Sequence, residues 1–127
     1  MVTVLTEDNF EAEVLKSEEP VLVAFWAPGC APCLITGRIL DDLAAEPGNG
    51  LRIAKLDVAA NPAAAARFDI GSVPYLALFS GGRPVRGLPG PVPAAILKLE
   101  AARALGAGQT ARVAPSAPDP EGAMRKL

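Results

Sequence analysis

The sequence predicts an α/β domain assembled around one strand that is buried on both faces. Three observations predict it. Residues 21–26 read Val21-Leu22-Val23-Ala24-Phe25-Trp26, apolar at both alternating sets of positions, as a central strand covered by helices on both sides must be. A helical stretch and a second apolar strand follow directly, and that order implies a right-handed parallel crossover. Later in the chain two short strands flank Ser80-Gly81-Gly82-Arg83, which is a hairpin signal. At 127 residues the chain is long enough for one domain with its own core and too short for two ordinary ones.

In chain order, Val2 to Leu5 forms a short first strand. Thr6 then caps a helix running to about Ser17, with Glu7 and Asp8 in its first turn facing the positive end of the dipole. Leu5 and Phe10 fall at the two positions of a hydrophobic staple. Pro20 resets the chain before the central strand. The helix after Cys30 carries Ile35, Ile39 and Leu43 on one stripe and breaks at Pro47-Gly48-Asn49-Gly50. Leu51 to Asp57 is the second core strand, with Ile53 and Leu56 on opposite faces. Asn61-Pro62 is an N-cap followed by proline at the first helical position, opening an alanine-rich helix to about Phe68. Tyr75 to Phe79 and Pro84 to Leu88 are the hairpin strands. Pro93 opens a last helix with Leu97, Ala101, Ala104 and Leu105 on one face and Gly106 as its C-cap. Residues 107–127 lose all amphipathic period and are rich in Ala and Pro, which reads as a flexible tail beyond a domain of residues 1–106.

Half the residues are apolar and a fifth are charged, which is globular rather than disordered composition. The net charge is −2 and no basic cluster exists, which argues against nucleic acid as a partner. With no histidine the chain has no imidazole for general-base work or metal binding. No apolar stretch is long enough to span a bilayer. Met1 to Asp8 lacks a basic segment leading into an apolar run, so a cytoplasmic location is expected.

The chemistry of the chain lies at Cys30 and Cys33, its only cysteines. Three residues apart at the opening of a helix, they stand one turn from each other, with both sulfurs on the same side and within bonding reach. In a reducing compartment a lone pair is more often catalytic than structural. Closing a four-residue loop also gains little unfolded-state entropy, so a structural crosslink is a poor explanation. Thiol–disulfide exchange is the expected use. Two alternatives stay open: a dimer sharing two cysteine pairs to hold zinc or an iron–sulfur cluster, and a binding or chaperone-like module that uses an apolar groove without redox turnover.

The series Trp26-Ala27-x-x-Cys30-x-Pro32-Cys33, Lys55-Leu56-Asp57-Val58, Asn61-Pro62, Ser72-Val73-Pro74-Tyr75, Phe79-x-x-Gly82 and Gly90 resembles thioredoxin over roughly residues 2–106. That resemblance implies a thioredoxin fold, a central mixed sheet with helices on both faces, and a protein-disulfide reductase that needs no cofactor or metal. It implies disulfide-containing protein substrates, a nicotinamide-dependent flavoenzyme of the thioredoxin-reductase type as electron donor, and a monomer. Cys30 is then the nucleophile and Cys33, one turn deeper, the resolving thiol. Pro74 would be the cis-proline facing both sulfurs, Val73 would offer its backbone to an extended substrate segment, and Gly90 would form a third wall. Trp26, Pro28, Gly29, Ala31 and Pro32 would complete the surround, and Lys55 matches a lysine near the pair.

The departures from the pattern are specific. Ala24 stands where thioredoxins usually bury an aspartate, Gly29 replaces a second tryptophan, and Ala31 replaces the glycine inside the motif. Leu34 sits where a basic residue commonly follows the second cysteine. Between Pro20 and Leu40 the only ionisable group besides the thiols is Arg38. The charge favouring a Cys30 thiolate is therefore expected from the unpaired amides and dipole of the helix start. Lys55 is expected either to run outward along the sheet or to lean toward Cys33.

Overall fold

The computed structural model describes residues 2–46 and 50–110, the side chains of 106–110 excepted. Its elements are β1 (Val2–Leu5), a short helical turn (Glu11–Leu15), β2 (Val21–Trp26), α1 (Ala31–Ala45), β3 (Arg52–Asp57), α2 (Pro62–Arg67), β4 (Tyr75–Ser80), β5 (Arg83–Pro89) and α3 (Ala94–Thr110). The strands lie in the order β1-β3-β2-β4-β5. β1 and β2 both pair parallel to β3, while β4 runs antiparallel to β2 and to β5. The sheet is mixed, as expected.

Strand register sorts the side chains into two faces. Leu5, Leu56, Phe25 and Tyr75 stand in one row, and Val4, Lys55, Ala24 and Leu76 stand in the next, on the other side of the sheet. The first face, with Val21, Val23, Ala54, Ala77 and Phe79, is covered by Phe10 and Val14 from the first helical turn and by Ala64 of α2. All four phenylalanines and the lone tyrosine meet there. Phe68 lies 5.3 Å from both Phe10 and Phe79, and Phe25 touches Phe68 and Tyr75 at 6.4 and 6.5 Å between centroids. The second face is where α1 lies, and it carries the cysteines.

The first helix begins as the sequence predicts and then departs. Thr6 Oγ1 accepts from the Asn9 amide at 3.3 Å, and Asn9 Oδ1 accepts from the Thr6 amide at 2.7 Å, a reciprocal cap. Leu5 and Phe10 are both buried, as a staple requires. The turn that follows is π-type, Lys16 donating to the Glu11 carbonyl, and covers only Glu11–Leu15. Arg52 fastens it to β3, donating to the Glu13 carboxylate at 2.6 Å and its carbonyl at 3.1 Å.

Glu7 does not serve its own helix. Its carboxylate accepts from the Ala63 amide at 2.7 Å and so caps α2, while Asn61, the expected cap, accepts from the Glu7 amide instead. The hairpin turn is Gly81-Gly82, with φ of 65° and 85°. Left-handed values at both central residues give the tight turn whose twist matches paired strands. A side chain at Gly82 would also meet the Leu15 carbonyl at 2.8 Å.

Two further expectations are corrected. The buried stripe of α1 is Cys33, Thr36, Leu40 and Leu43, whereas Ile35 is 57% exposed and Ile39 half-buried. Once Cys33 faces the sheet, Ile35 is turned about 200° away round the helix. Gly106 does not end α3, which continues to Thr110, since one glycine costs a helix only about 1 kcal/mol. α3 belongs to a second compact unit beginning at Ala95, and Leu97 and Ala101 are its buried side chains. Pro47, Gly48 and Asn49 of the expected break, and residues 111–127 of the expected tail, lie outside the described residues. No described helix is long and apolar enough to cross a membrane.

Candidate active site

β2 delivers the chain to the C-terminal end of the central strand at Trp26, and the turn Ala27-Pro28-Gly29 carries it to the start of α1. Gly29 has a φ of 81°, so the residue that replaces a large aromatic is also the one that permits this turn. Cys30 is the N-cap of α1, with Pro32 in the first turn. The Cys33 amide donates to Cys30 Sγ at 3.2 Å and to the Cys30 carbonyl at 3.1 Å. An amide aimed at a sulfur on the positive end of a helix is what stabilises a thiolate there.

Cys30 and Cys33 are joined by a disulfide, with their Cα atoms 5.2 Å apart. Cys30 is half-buried and Cys33 is 7% exposed, so an incoming partner meets Cys30 first. The Val73–Pro74 bond is cis, and the Val73 carbonyl lies 3.9 Å from Cys30 Sγ. Pro74 is buried beside the pair. The Gly90 amide donates to the Pro74 carbonyl at 2.8 Å, which sets Gly90 against the same segment. A hollow of about 250 Å³ is lined by Trp26, Pro28, Gly29, Cys30, Ala31 and Leu34.

A second cavity, about 300 Å³, lies beneath the pair. Ala24, Trp26, Cys33, Leu34, Thr36, Leu40, Lys55 and Pro74 line it, and the exposed Arg38 and Asp41 stand at its rim. Lys55 resolves in a third way between the two expected: half-buried, it lines this cavity with Nζ 5.8 Å from the Trp26 ring centre, within cation–π range. All the residues expected at the site from β2, the turn, α1, β3 and the Val73–Pro74 segment are thus brought together.

The family model for thioredoxin matches residues 1–102. The chain belongs to the thioredoxin family. It is 44% identical over 103 residues to the thioredoxin of Mycolicibacterium smegmatis, an alignment covering 80% of this chain and 92% of that protein. It is 44% identical over 93 residues to the thioredoxin of Streptomyces clavuligerus, covering 73% and 86% respectively. It is also 45% identical over 86 residues to the bifunctional thioredoxin reductase/thioredoxin of Mycobacterium leprae, covering 68% of this chain and 19% of that one. With the thioredoxin fold and a bonded Cys30–Cys33 pair, this thioredoxin relative is a thiol–disulfide oxidoreductase.

Of two further residues at this thioredoxin site, the sequence reading noted the first only as a departure from the family pattern and missed the second. Leu34, 73% exposed, lines both hollows and makes the rim apolar where a cation was to be expected. Thr36, 2% exposed, is the buried polar side chain of α1, and its hydroxyl has no hydrogen-bond partner among the described residues. Its type alone gave no signal, because a threonine between Ile35 and Gly37 reads as a solvent-facing position.

Ala24, 3% exposed, shares its row with Lys55 and faces the cavity that Cys33 lines. Ala24→Asp therefore places a carboxylate within the reach of both. The expected result is faster resolution of mixed disulfides at neutral pH, and a melting temperature lowered by the cost of desolvating the new carboxylate. Stopped-flow exchange and thermal melts check both halves; a variant with neither change contradicts this account of the position.

Proposed function

We propose that the chain reduces protein disulfides, with Cys30 as the attacking thiol and Cys33 as the resolving one. The arrangement that carries this reading is the Cys33 amide donating to the accessible Cys30 sulfur while the Cys33 sulfur stays buried. In the reduced protein the Cys30 thiolate attacks a substrate disulfide, a mixed disulfide forms, and one substrate thiolate leaves and takes a proton from solvent. Cys33 then loses its proton and attacks Cys30 Sγ. The substrate's second sulfur departs with the electron pair, and the Cys30–Cys33 disulfide remains. Two electrons have passed from the pair to the substrate.

The substrate groove is assigned to Trp26, Pro28, Gly29, Val73, Pro74 and Gly90, with an extended segment pairing to the Val73 backbone. Ala31 and Pro32 shape the helix start, and Lys55 supports the pair from beneath. Pro32 keeps the motif of the reducing members, which supports reduction over oxidation. One relative is named as both a reductase and a thioredoxin, which supports a flavoenzyme of that type as electron donor. The redox domain is assigned to residues 1–106, and residues 107–127, of which 107–110 still continue α3, lie outside the chemistry. The working form is a monomer in the cytoplasm, where a chain whose two cysteines form one exchange pair stays reduced.

Insulin-disulfide reduction driven by dithiothreitol tests the activity, and a redox titration of the pair tests its direction. Turnover above background with a potential near about −270 mV supports a reductant, whereas one near about −120 mV marks an oxidant. No turnover would leave a binding module.

A further inference from the structure

The hollow beside Cys30 has apolar walls and no side chain of this protein inside it. The end of β2 and the turn after it bring Trp26, Pro28 and Gly29 to it, and the start of α1 brings Ala31 and Leu34. None of its walls comes from Val73, Pro74 or Gly90, so it is a separate place from the segment to which a substrate strand is assigned. Gly29 leaves it open, since a Cβ at that position would meet no atom within 4 Å. Among the described residues no charged side chain lines it; Lys55, over the Trp26 ring, and Arg38 line the cavity beneath instead. Leu34 therefore holds a large apolar side chain in water at the lip of an uncharged recess. At about 250 Å³ that recess falls short of the roughly 300–1,000 Å³ of a drug-sized pocket and suits one large side chain. The sulfur decides what arrives there. In the mixed disulfide Cys30 Sγ holds a substrate cysteine, and the residue next to that cysteine has its Cα only about 3.8 Å along the chain. Its side chain is within reach of a recess that Cys30 itself lines.

We infer that this recess selects the substrate by taking a large apolar side chain, aromatic before aliphatic, that neighbours the attacked cysteine. The inference rests on the reductase reading above and names the class of disulfide on which that site acts. An aromatic ring seated there meets the Trp26 indole and covers Leu34, which removes apolar surface of all three from water. A carboxylate or ammonium in the same place loses its water and finds no partner, so charged neighbours are rejected as well as apolar ones accepted. Leu34 is the specificity-determining residue. Ile35, the next residue of α1, is 57% exposed but lines neither hollow, and it takes no part in the selection.

The test uses short peptides closed by a disulfide and identical except for the residue outside each cysteine, which is phenylalanine, alanine, aspartate or lysine. Chromatography of the opened peptide gives kcat/KM for each, divided by its rate with dithiothreitol alone to remove differences in the disulfides themselves. The parent protein is expected to open the phenylalanine peptide about tenfold faster than the alanine one, and both charged peptides more slowly than alanine. Leu34→Ala should bring the phenylalanine-to-alanine ratio close to one. Leu34→Lys should do the same and favour the aspartate peptide over the lysine one. Ile35→Ala should keep the parental ratio. Both positions are exposed, so the variants should melt as the parent does. A parental ratio near one, a ratio unaltered by Leu34→Ala, or a ratio lost equally in Ile35→Ala would overturn the inference and leave the reductase reading standing. A parent that opens none of the peptides and does not reduce insulin would sink that reading, and the inference with it.

Discussion

Cys30→Ser reduces insulin at the uncatalysed dithiothreitol rate, while Cys33→Ser accumulates a covalent complex with its substrate. These opposite failures are expected because the two sulfurs stand in unlike places. Cys30 caps α1, accepts the Cys33 amide at 3.2 Å and lies beside the Val73 carbonyl, where a substrate strand would run. Without it no covalent intermediate forms, and the loss is complete rather than partial because nucleophile and resolving thiol act as one unit. Cys33, 7% exposed, is not positioned to meet a protein substrate, yet it is one turn from the captured sulfur. Without it the first bond forms and the second does not. Non-reducing gel electrophoresis after mixing with a disulfide protein reads both outcomes. Turnover retained by Cys30→Ser, or a complex trapped by that variant and not by Cys33→Ser, would reverse the assignment.

Phe25→Ala is expected to cost about 3–5 kcal/mol, a large share of the roughly 5–15 kcal/mol that holds a domain together. Phe25 is fully buried within the aromatic cluster, touching Phe68 from the end of α2 and Tyr75 from β4. The partner from α2 matters most, because that helix has few other ways to grip the sheet: it is six residues long, and among its described residues only Ala64 is buried. The cluster lies on the sheet face away from the cysteines, so the variant separates folding from chemistry. Urea denaturation of the oxidised protein should show the lowered midpoint, and at low denaturant the remaining folded molecules should exchange disulfides at the parental rate. A loss below about 1 kcal/mol would mean that the cluster is not the core it is taken to be.

How much of this could be read from the chain differs from element to element, for physical reasons. β1, β2, the β4–β5 hairpin and the cysteine pair were legible because each is specified locally. Residues 21–26 are apolar on both faces, Gly81-Gly82 accepts the positive φ that a tight hairpin turn needs, and a three-residue spacing fixes the geometry of two sulfurs. The orientation of α1 was not. Leu34, Ile35, Ile39, Leu40 and Leu43 offer two competing apolar stripes, and the choice between them is made by the burial of Cys33 under the sheet end. The same choice buries Thr36, whose hydroxyl no pattern flags. Glu7 was misplaced because its true partner, the Ala63 amide, is 56 residues away in sequence. The site residues at Val73, Pro74 and Gly90 became readable only through the family pattern, since nothing local to them points at sulfur.

The departures from that pattern fit together. Ala24 removes a charge from beneath the pair, which spares its desolvation, and leaves a cavity that Thr36 and Lys55 line. Ionisation of the attacking sulfur then falls to the helix start itself, with no carboxylate or imidazole described within its surround. The most direct measurement of that claim is the ionisation of Cys30 in reduced Cys33→Ser protein, followed by thiolate absorbance across pH. The account predicts a midpoint below the ordinary thiol value of about 8.5, because the amide end of α1 favours the thiolate. A midpoint at or above that value would contradict it.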